Sequence, residues 1–204
     1  LGHACVLVEH ASTRVLCDPG NFSSQWHQLT DLDAILVTHQ HPDHVDPDHL
    51  GSLLQANPDA RVLLETQAQA CLGVGEALGA DQTHQLGSLR LRTVGGRHAV
   101  IHADIPRIGN IGLLLDEGST TFFHPGDALD VTPEGVDVLA VPAYGPWAAM
   151  KETIDFVRGV GASQGFLIHE GLLNQRGWQL AFDRCSEMGP TSFADLRDAG
   201  PREY

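Results

Sequence analysis

The chain has 204 residues, 42% of them hydrophobic, with 12 Lys and Arg against 26 Asp and Glu, a formal net charge of −14. That size suits one large domain or two small ones with a sizeable core. The acidic balance argues against a broad nucleic-acid or anionic-membrane surface, which needs basic residues. No apolar run reaches the ~18 residues that a membrane-spanning helix requires.

No secretory-signal pattern opens the sequence, and a strand is expected almost at once after Leu1, as though the natural N-terminus lay further upstream. Ala4 to Glu9 and Arg14 to Cys17 read as a hairpin joined by His10-Ala11-Ser12-Thr13. Asp18-Pro19-Gly20 then turns the chain. Ala34 to Val37 is a buried strand, Asp46 to Leu54 a short helix with Asp46 as its cap, and Arg61 to Leu64 a strand. Gln67 to Leu78 has a helical pattern that Gly73 and Gly75 weaken.

In the second half, Leu89 to Val94 is a strand running into a Gly- and His-rich loop, Gly95 to His102. Ile111 to Leu115 and Thr120 to Phe123 are strands around Asp116-Glu117-Gly118. Val136 to Val141 is a buried strand, Met150 to Val160 a helix, Gln164 to Ile168 the final strand and Leu180 to Met188 the last helix. The tail, 191 to 204, carries little signal. Two strand-rich halves with helices outside predict an α/β fold, a four-layer αββα sandwich of two mixed sheets. Without a Pro/Ser-rich linker, it is expected to form one domain over 1–204. Cys5, Cys17, Cys71 and Cys185 are scattered with no C-x-x-C, so buried reduced thiols and a cytoplasmic location are expected.

The chemistry concentrates in His39-Gln40-His41-Pro42-Asp43-His44, directly behind the strand Asp33 to Val37. Imidazole suits zinc, iron and related metals, and carboxylate suits harder ions. In extended backbone His39 and His41 point to one side, so both can reach one ion. The turn at Pro42 aims Asp43 and His44 at a neighbouring point. Four donors so close behind a strand are hard to produce by accident, although a lone loop histidine is usually a surface residue. Such a run favours two adjacent metals. Further donors are expected at other strand ends. The candidates are His98 and His102 in the Gly-rich loop, Asp127 after Phe123-His124-Pro125-Gly126, and His169 after Ile168. Singly, each histidine is more often a hydrogen-bonded structural residue than a ligand.

This order of motifs resembles the metallo-β-lactamase superfamily of metal-dependent hydrolases, through Asp18, the His39/His41/Asp43/His44 cluster, Gly126-Asp127 and His169. Leu1-Gly2-His3-Ala4-Cys5 and His124-Pro125-Gly126-Asp127 resemble the small stand-alone branch that includes the L-ascorbate-6-phosphate lactonases. The resemblance implies that His39 and His41 bind a first ion with a later histidine. It implies that Asp43, His44 and His169 bind a second ion, that Asp127 bridges both, and that Asp18 orients the ligand loop. For the third histidine, His98 and His102 both remain available, with His98 favoured because it lies nearer a strand end. His3 is either a substrate contact and proton carrier or a buried structural residue, and His124 has the same two readings.

The implied cofactor is a pair of divalent ions, Zn2+ before Mn2+ or Fe2+. A hydroxide held by the two ions would attack a small ester, lactone, thioester or phosphoester, with Asp43, Asp127 and His3 as catalytic groups. No serine or cysteine nucleophile is needed, and no G-x-S-x-G elbow is expected. Trp26, Tyr144 and Trp147 are placed near the site edge, as an apolar wall or as core. The expected partner is a small-molecule substrate, with no nucleic acid and no membrane, and a homo-oligomer is allowed. Two other readings are a di-iron redox or oxygen-binding protein on the same fold and a non-catalytic metal binder. The retained His41 and Asp43 favour the hydrolase.

Overall fold

The structure is a computed structural model that describes residues 1–197 and 200–204. Alternation of side chains along its strands divides the apolar residues among three interlayer cores. In β3 (Ala34–Val37), Ala34 and Leu36 face one way and Ile35 and Val37 the other. In β10 (Val138–Pro142), Val138 and Ala140 join the same central cluster as Leu36, while Leu139 and Val141 face a different one. Both strands are apolar on both faces, as strands covered on both sides must be. The central cluster lies between the sheets and draws Val15, Leu36 and Leu63 from one and Leu91, Leu113, Phe122 and Ile168 from the other. The two outer clusters seat the helices. The resulting layers are αββα, as expected from the sequence, and each fully buried leucine stabilises them by ~1.5–3 kcal/mol.

The first sheet has the order β1-β2-β3-β4-β5 and the second β12-β11-β10-β9-β8-β7-β6. β1 (Val6–His10) and β2 (Thr13–Cys17) form the hairpin, with Val6 opposite Cys17. From β2 through β3, β4 (Arg61–Glu65) and β5 (Glu76–Leu78) the pairing is parallel. α1 (Leu50–Ala56) and α2 (Thr66–Leu72) cover the outer face, where Leu50, Leu53 and Ala68 are buried. In the second sheet β6 (Thr83–Leu86), β7 (Leu89–Gly95), β8 (Ile111–Asp116) and β9 (Thr121–His124) run antiparallel in turn. β9, β10, β11 (Gln164–Ile168) and β12 (Ser192–Ala194) are parallel. α3 (Met150–Val160) and α4 (Gln175–Met188) bury Phe156, Val157, Trp178 and Ala181 against it.

Several boundaries differ from the sequence expectation. The helix expected over 67–78 stops at Leu72, because Gly73 turns left-handed at φ 68 and releases the chain into β5. The helix expected from Asp46 begins at Leu50. Asp46 instead holds the turn before it, its carboxylate accepting the Asp48 N–H at 2.9 Å. β6 was not anticipated, although the Gly87-Ser88 turn between two alternating runs is its signal. β12 lies in the tail, where the sequence carries little signal, and two tail residues, 198 and 199, lie outside the described residues. α4 starts at Gln175, where Asn174 accepts from the N–H groups of Arg176 and Gly177. All four cysteines are free, and Cys71 is exposed rather than buried. Among the described residues, no helix is long and apolar enough to cross a membrane.

Candidate metal centre

Apart from His3, which precedes β1, every expected site residue follows a strand, and the sheet directions bring those strand ends to one edge. β2, β3, β9, β10 and β11 are members of parallel pairs. β7 runs with β9, because each is antiparallel to β8. The loops after β2, β3, β7, β9, β10 and β11 therefore meet, carrying Asp18, His39 to His44, His98, Asp127, Trp147 and His169. A strand's C-terminal edge is where backbone direction changes and side chains converge.

Two groups of ligand-capable atoms result, each with its atoms within 4.8 Å of one another. His39, His41, His98 and Asp127 form one, and His3, Asp43, His44 and His169 the other. Asp127 reaches both. Its Oδ2 lies 3.4 Å from His98 Nε2, 3.9 Å from His39 Nε2 and 3.1 Å from His169 Nε2, and its Oδ1 lies 3.0 Å from His44 Nε2. His98 is brought to this point, whereas His102 is exposed and pairs with Asp104 at 3.6 Å. His98→Ala is accordingly expected to lower zinc occupancy by about one equivalent, and His102→Ala to leave it unchanged; the reverse order on metal analysis would contradict the placement.

The histidine rings are held from behind. His98 Nδ1–H donates to the Ala99 carbonyl at 2.7 Å, and His169 Nδ1–H to the Tyr144 carbonyl at 2.5 Å. His44 Nδ1–H donates to Asp18 Oδ2 at 2.6 Å. Thr38 Oγ1–H is given to Asp18 Oδ2 at 2.7 Å, which leaves the Thr38 oxygen to accept His39 Nδ1–H at 3.1 Å. Each outward N–H fixes a tautomer with Nε2 facing the carboxylates, the arrangement of metal-binding imidazoles. Three of the inward atoms, His44 Nε2, His98 Nε2 and Asp127 Oδ1, are buried without a hydrogen bond. His44 Nε2 and Asp127 Oδ1 are close but misaligned for hydrogen bonding. Buried polar atoms left so cost ~1–3 kcal/mol each, and divalent ions between them would remove that cost. The donor set therefore fits a pair of zinc-class ions.

His3 plays a different part. Its Nδ1 accepts the Gly171 N–H at 3.1 Å, so the ring proton sits on Nε2 and is donated to Asp43 Oδ2 at 3.1 Å. A nitrogen carrying a proton is not a ligand, so His3 orients Asp43 and holds a proton beside it. Burial lowers the His3 pKa, which keeps the ring neutral. His124 also stands behind the site, its Nε2–H on the Ala4 carbonyl at 2.8 Å and 3.8 Å from Asp18. His3, Asp18 and His169 all have left-handed backbone, φ 51, 47 and 60. Such residues cost ~1–3 kcal/mol and persist where surroundings hold them, here through His169 N–H to His3 O and Asp18 N–H to Leu36 O.

Sequence reasoning missed several supports. Trp147 donates its indole N–H to Asp127 Oδ2 at 2.9 Å. Asn110 accepts the Asp127 N–H at 2.9 Å and ties the Pro125 carbonyl. Gly126, at φ 61, lies where a Cβ would come 2.2 Å from Asn110 Oδ1, and a Cβ on Gly20 would come 1.8 Å from the Asp43 carbonyl. Trp26 is core, while Trp147 lines the pocket. Gly161-Ala162-Ser163-Gln164-Gly165 does spell the G-x-S-x-G pattern. It runs helix to strand rather than strand to helix, however, and Ser163 Oγ–H lies on the Asp137 carbonyl at the opposite edge.

Burial alone would push the Asp43 carboxyl up, but the His3 hydrogen bond and the charge of His44 outweigh it and hold the group at about 2. Burial and then His44 push His39 well down. Burial would also lower His44, yet Asp127 and Asp18 overcome it and raise the ring well above 6.5. A raised folded pKa stabilises fully below 6.5, and that contribution disappears as pH rises through the folded value. Metal needs the neutral ring, so zinc binds more tightly over the same range. The melting temperature gap between zinc-loaded and metal-free protein is therefore expected to widen as pH rises above 6.5. A narrowing gap in calorimetry would contradict His44 as the proton-bearing group.

A family model described as a β-lactamase superfamily domain matches residues 1–164. Protein Rv0786c of Mycobacterium tuberculosis is 42% identical over 198 residues, covering 96% of this chain and 93% of its own. The chain belongs to the metallo-β-lactamase superfamily. A proposed metal-dependent hydrolase of Parabacteroides distasonis superposes with a TM-score of 0.76 at 18% identity, over 96% of this chain and 91% of that one. CmlA, a diiron β-hydroxylase of Streptomyces venezuelae, superposes with a TM-score of 0.66 at 18% identity, over 96% of this superfamily member but 52% of CmlA. At such identities these two likenesses show the shared fold.

Proposed function

We propose that the protein is a dinuclear metal-dependent hydrolase of small, uncharged, apolar esters, lactones or thioesters. The observation that carries this is the sharing of Asp127 between two donor groups on the floor of a pocket of about 410 Å3. Phe22, Pro42, Ile101, Pro146, Trp147 and Leu172 wall the pocket, and its floor includes His41, Asp43, His98, Asp127 and His169. No Lys or Arg lines it among the described residues. A phosphate or carboxylate on the substrate, away from the reacting centre, would find no cationic partner, and the net charge of −14 disfavours its approach.

Two divalent ions held by His39, His41, His98 and by Asp43, His44, His169 would lower the pKa of a coordinated water to ~7 and polarise the scissile carbonyl. The chain's own groups do the rest. Asp127 fixes the spacing of the two donor groups. Trp147 holds Asp127 Oδ2, and His3, buried behind the pocket lining, holds Asp43 by donating its Nε2 proton to Oδ2. Phe22, 47% exposed, and Leu172, 56% exposed, stand free at the pocket to take an apolar substituent.

Single-turnover hydrolysis in oxygen-18 water is expected to put the label into the acyl product, with no covalent enzyme adduct. Chelation should stop turnover and zinc or manganese restore it. Neutral aryl esters are expected to exceed phosphorylated analogues in kcat/KM by roughly 100-fold, the cost of leaving a charge without its partner. An acyl-enzyme trapped by mass spectrometry, or turnover that survives chelation, would overturn the mechanism. Oxygen consumption with an added reductant would favour the redox reading.

A further inference from the structure

Behind the centre, away from the pocket, lies a second kind of donor cluster. The loop before β3 carries Trp26 and His27, and the turn entering α1 carries Asp46 and His49. Ligand-capable atoms of His27, Asp46 and His49 all lie within 4.8 Å of one another. None of the three residues belongs to either donor group of the centre or lines its pocket. We propose that His27, Asp46 and His49 form an additional site for one zinc-class ion, a staple joining these two loops.

Independent features support it. His27 Nε2 is shielded from solvent and has no hydrogen-bond partner, a condition that a coordinated ion would relieve. The Asp46 side chain is 5% exposed and its Oδ2 lies 2.7 Å from His49 Nδ1, while the other carboxylate oxygen is occupied by the Asp48 N–H. The carboxylate is thus pre-oriented. The two imidazoles stack at 4.2 Å with an interplanar angle of 15°, edge-on to the Trp26 indole. Donors of a tetrahedral zinc site stand roughly 3.3 Å apart, given bonds of ~2.0–2.1 Å. The closure required falls to His49, whose side chain is 53% exposed and would give up its stack on His27 and its direct hydrogen bond to Asp46 as both turn to the ion. Two imidazoles and a carboxylate select zinc, nickel or copper over magnesium or calcium.

The location gives the ion a structural role. Asp46 N–H bonds the Pro19 carbonyl at 2.9 Å, and Trp26 Nε1–H bonds the Gly20 carbonyl at 3.0 Å. Both loops therefore brace Asp18-Pro19-Gly20, whose aspartate holds His44. An ion here stiffens the frame of the centre without meeting substrate.

The test is a metal count on the full chain, stripped by chelator and reloaded with ZnCl2, for the wild type, His49→Ala and, as an exposed-histidine control, His102→Ala. Wild type and His102→Ala are expected to hold one equivalent more than His49→Ala, whatever the occupancy of the main centre. NiCl2 titration should quench tryptophan emission in an additional phase, since Trp26 adjoins the site, and His49→Ala should lack that phase; MgCl2 should produce none. Equal zinc content in wild type and His49→Ala would overturn the proposal. So would an equal loss in His102→Ala, which would mark the extra ion as adventitious.

Discussion

Asp127→Ala is expected to abolish turnover and to lose metal from both donor groups together. Among the described residues, Asp127 is the one carboxylate whose oxygens lie within 4 Å of histidines of both groups. Without it, His44 Nε2 has Asp43 Oδ2 only at 4.0 Å, and His98 and His169 lose the anion between them. Losing metal-based charge stabilisation costs several kcal/mol, so kcat/KM should fall roughly 1,000-fold or more. Zinc analysis should fall from nearly two equivalents at the centre to less than one. Trp147→Phe is the graded control: it removes one hydrogen bond to Oδ2 and leaves the carboxylate, so a loss of ~10-fold is expected. Full activity with unchanged zinc in Asp127→Ala would remove this residue from its bridging position.

Asp18→Asn should be the second most damaging change, although Asp18 meets no substrate. The side chain is fully buried, with Oδ1 accepting the Thr38 N–H at 2.8 Å and Oδ2 accepting both Thr38 Oγ1–H and His44 Nδ1–H. Asparagine keeps one acceptor oxygen and turns the other into an NH2, which meets a donor whichever way the amide faces. His44 then loses the partner that sets its tautomer. Zinc affinity should fall ~10–100-fold, and metal-free protein should lose about 3 kcal/mol on denaturant unfolding, as for breaking a buried charge pair. Unchanged zinc affinity and an unchanged unfolding midpoint would show that Thr38 and His124 hold the loop without the carboxylate.

Much of this was legible in the residues. Period-two alternation with apolar runs of four to six residues located β3, β8, β10 and β11, because strands buried on both faces admit little else. The cluster from His39 to His44 announced metal chemistry because its donors are local in the chain and side-chain direction follows from backbone period. Where local signals competed, the expectation slipped. Gln67 to Leu78 carries enough helical pattern to hide that Gly73 ends the helix. β6 and β12 are short strands whose existence depends on the neighbours β7 and β11.

What the chain by itself determined was the identity of the donors and their placement at strand ends. Which of them share a point in space depended on sheet order. Only the antiparallel path β7-β8-β9 sets His98 beside Asp127 and leaves His102 outside, for the two are equivalent as residues and differ by four positions along one loop. His3 likewise could be read as substrate contact, proton carrier or buried structural residue until Gly171, 168 positions away, was seen to donate to its Nδ1 and so to fix the proton on Nε2. The same holds for Trp147, whose N–H finds Asp127 only because β10 and β9 are neighbours. Local sequence specifies side-chain type and direction, whereas a tautomer, a shared carboxylate and an orphaned nitrogen are properties of contacts between segments far apart in the chain.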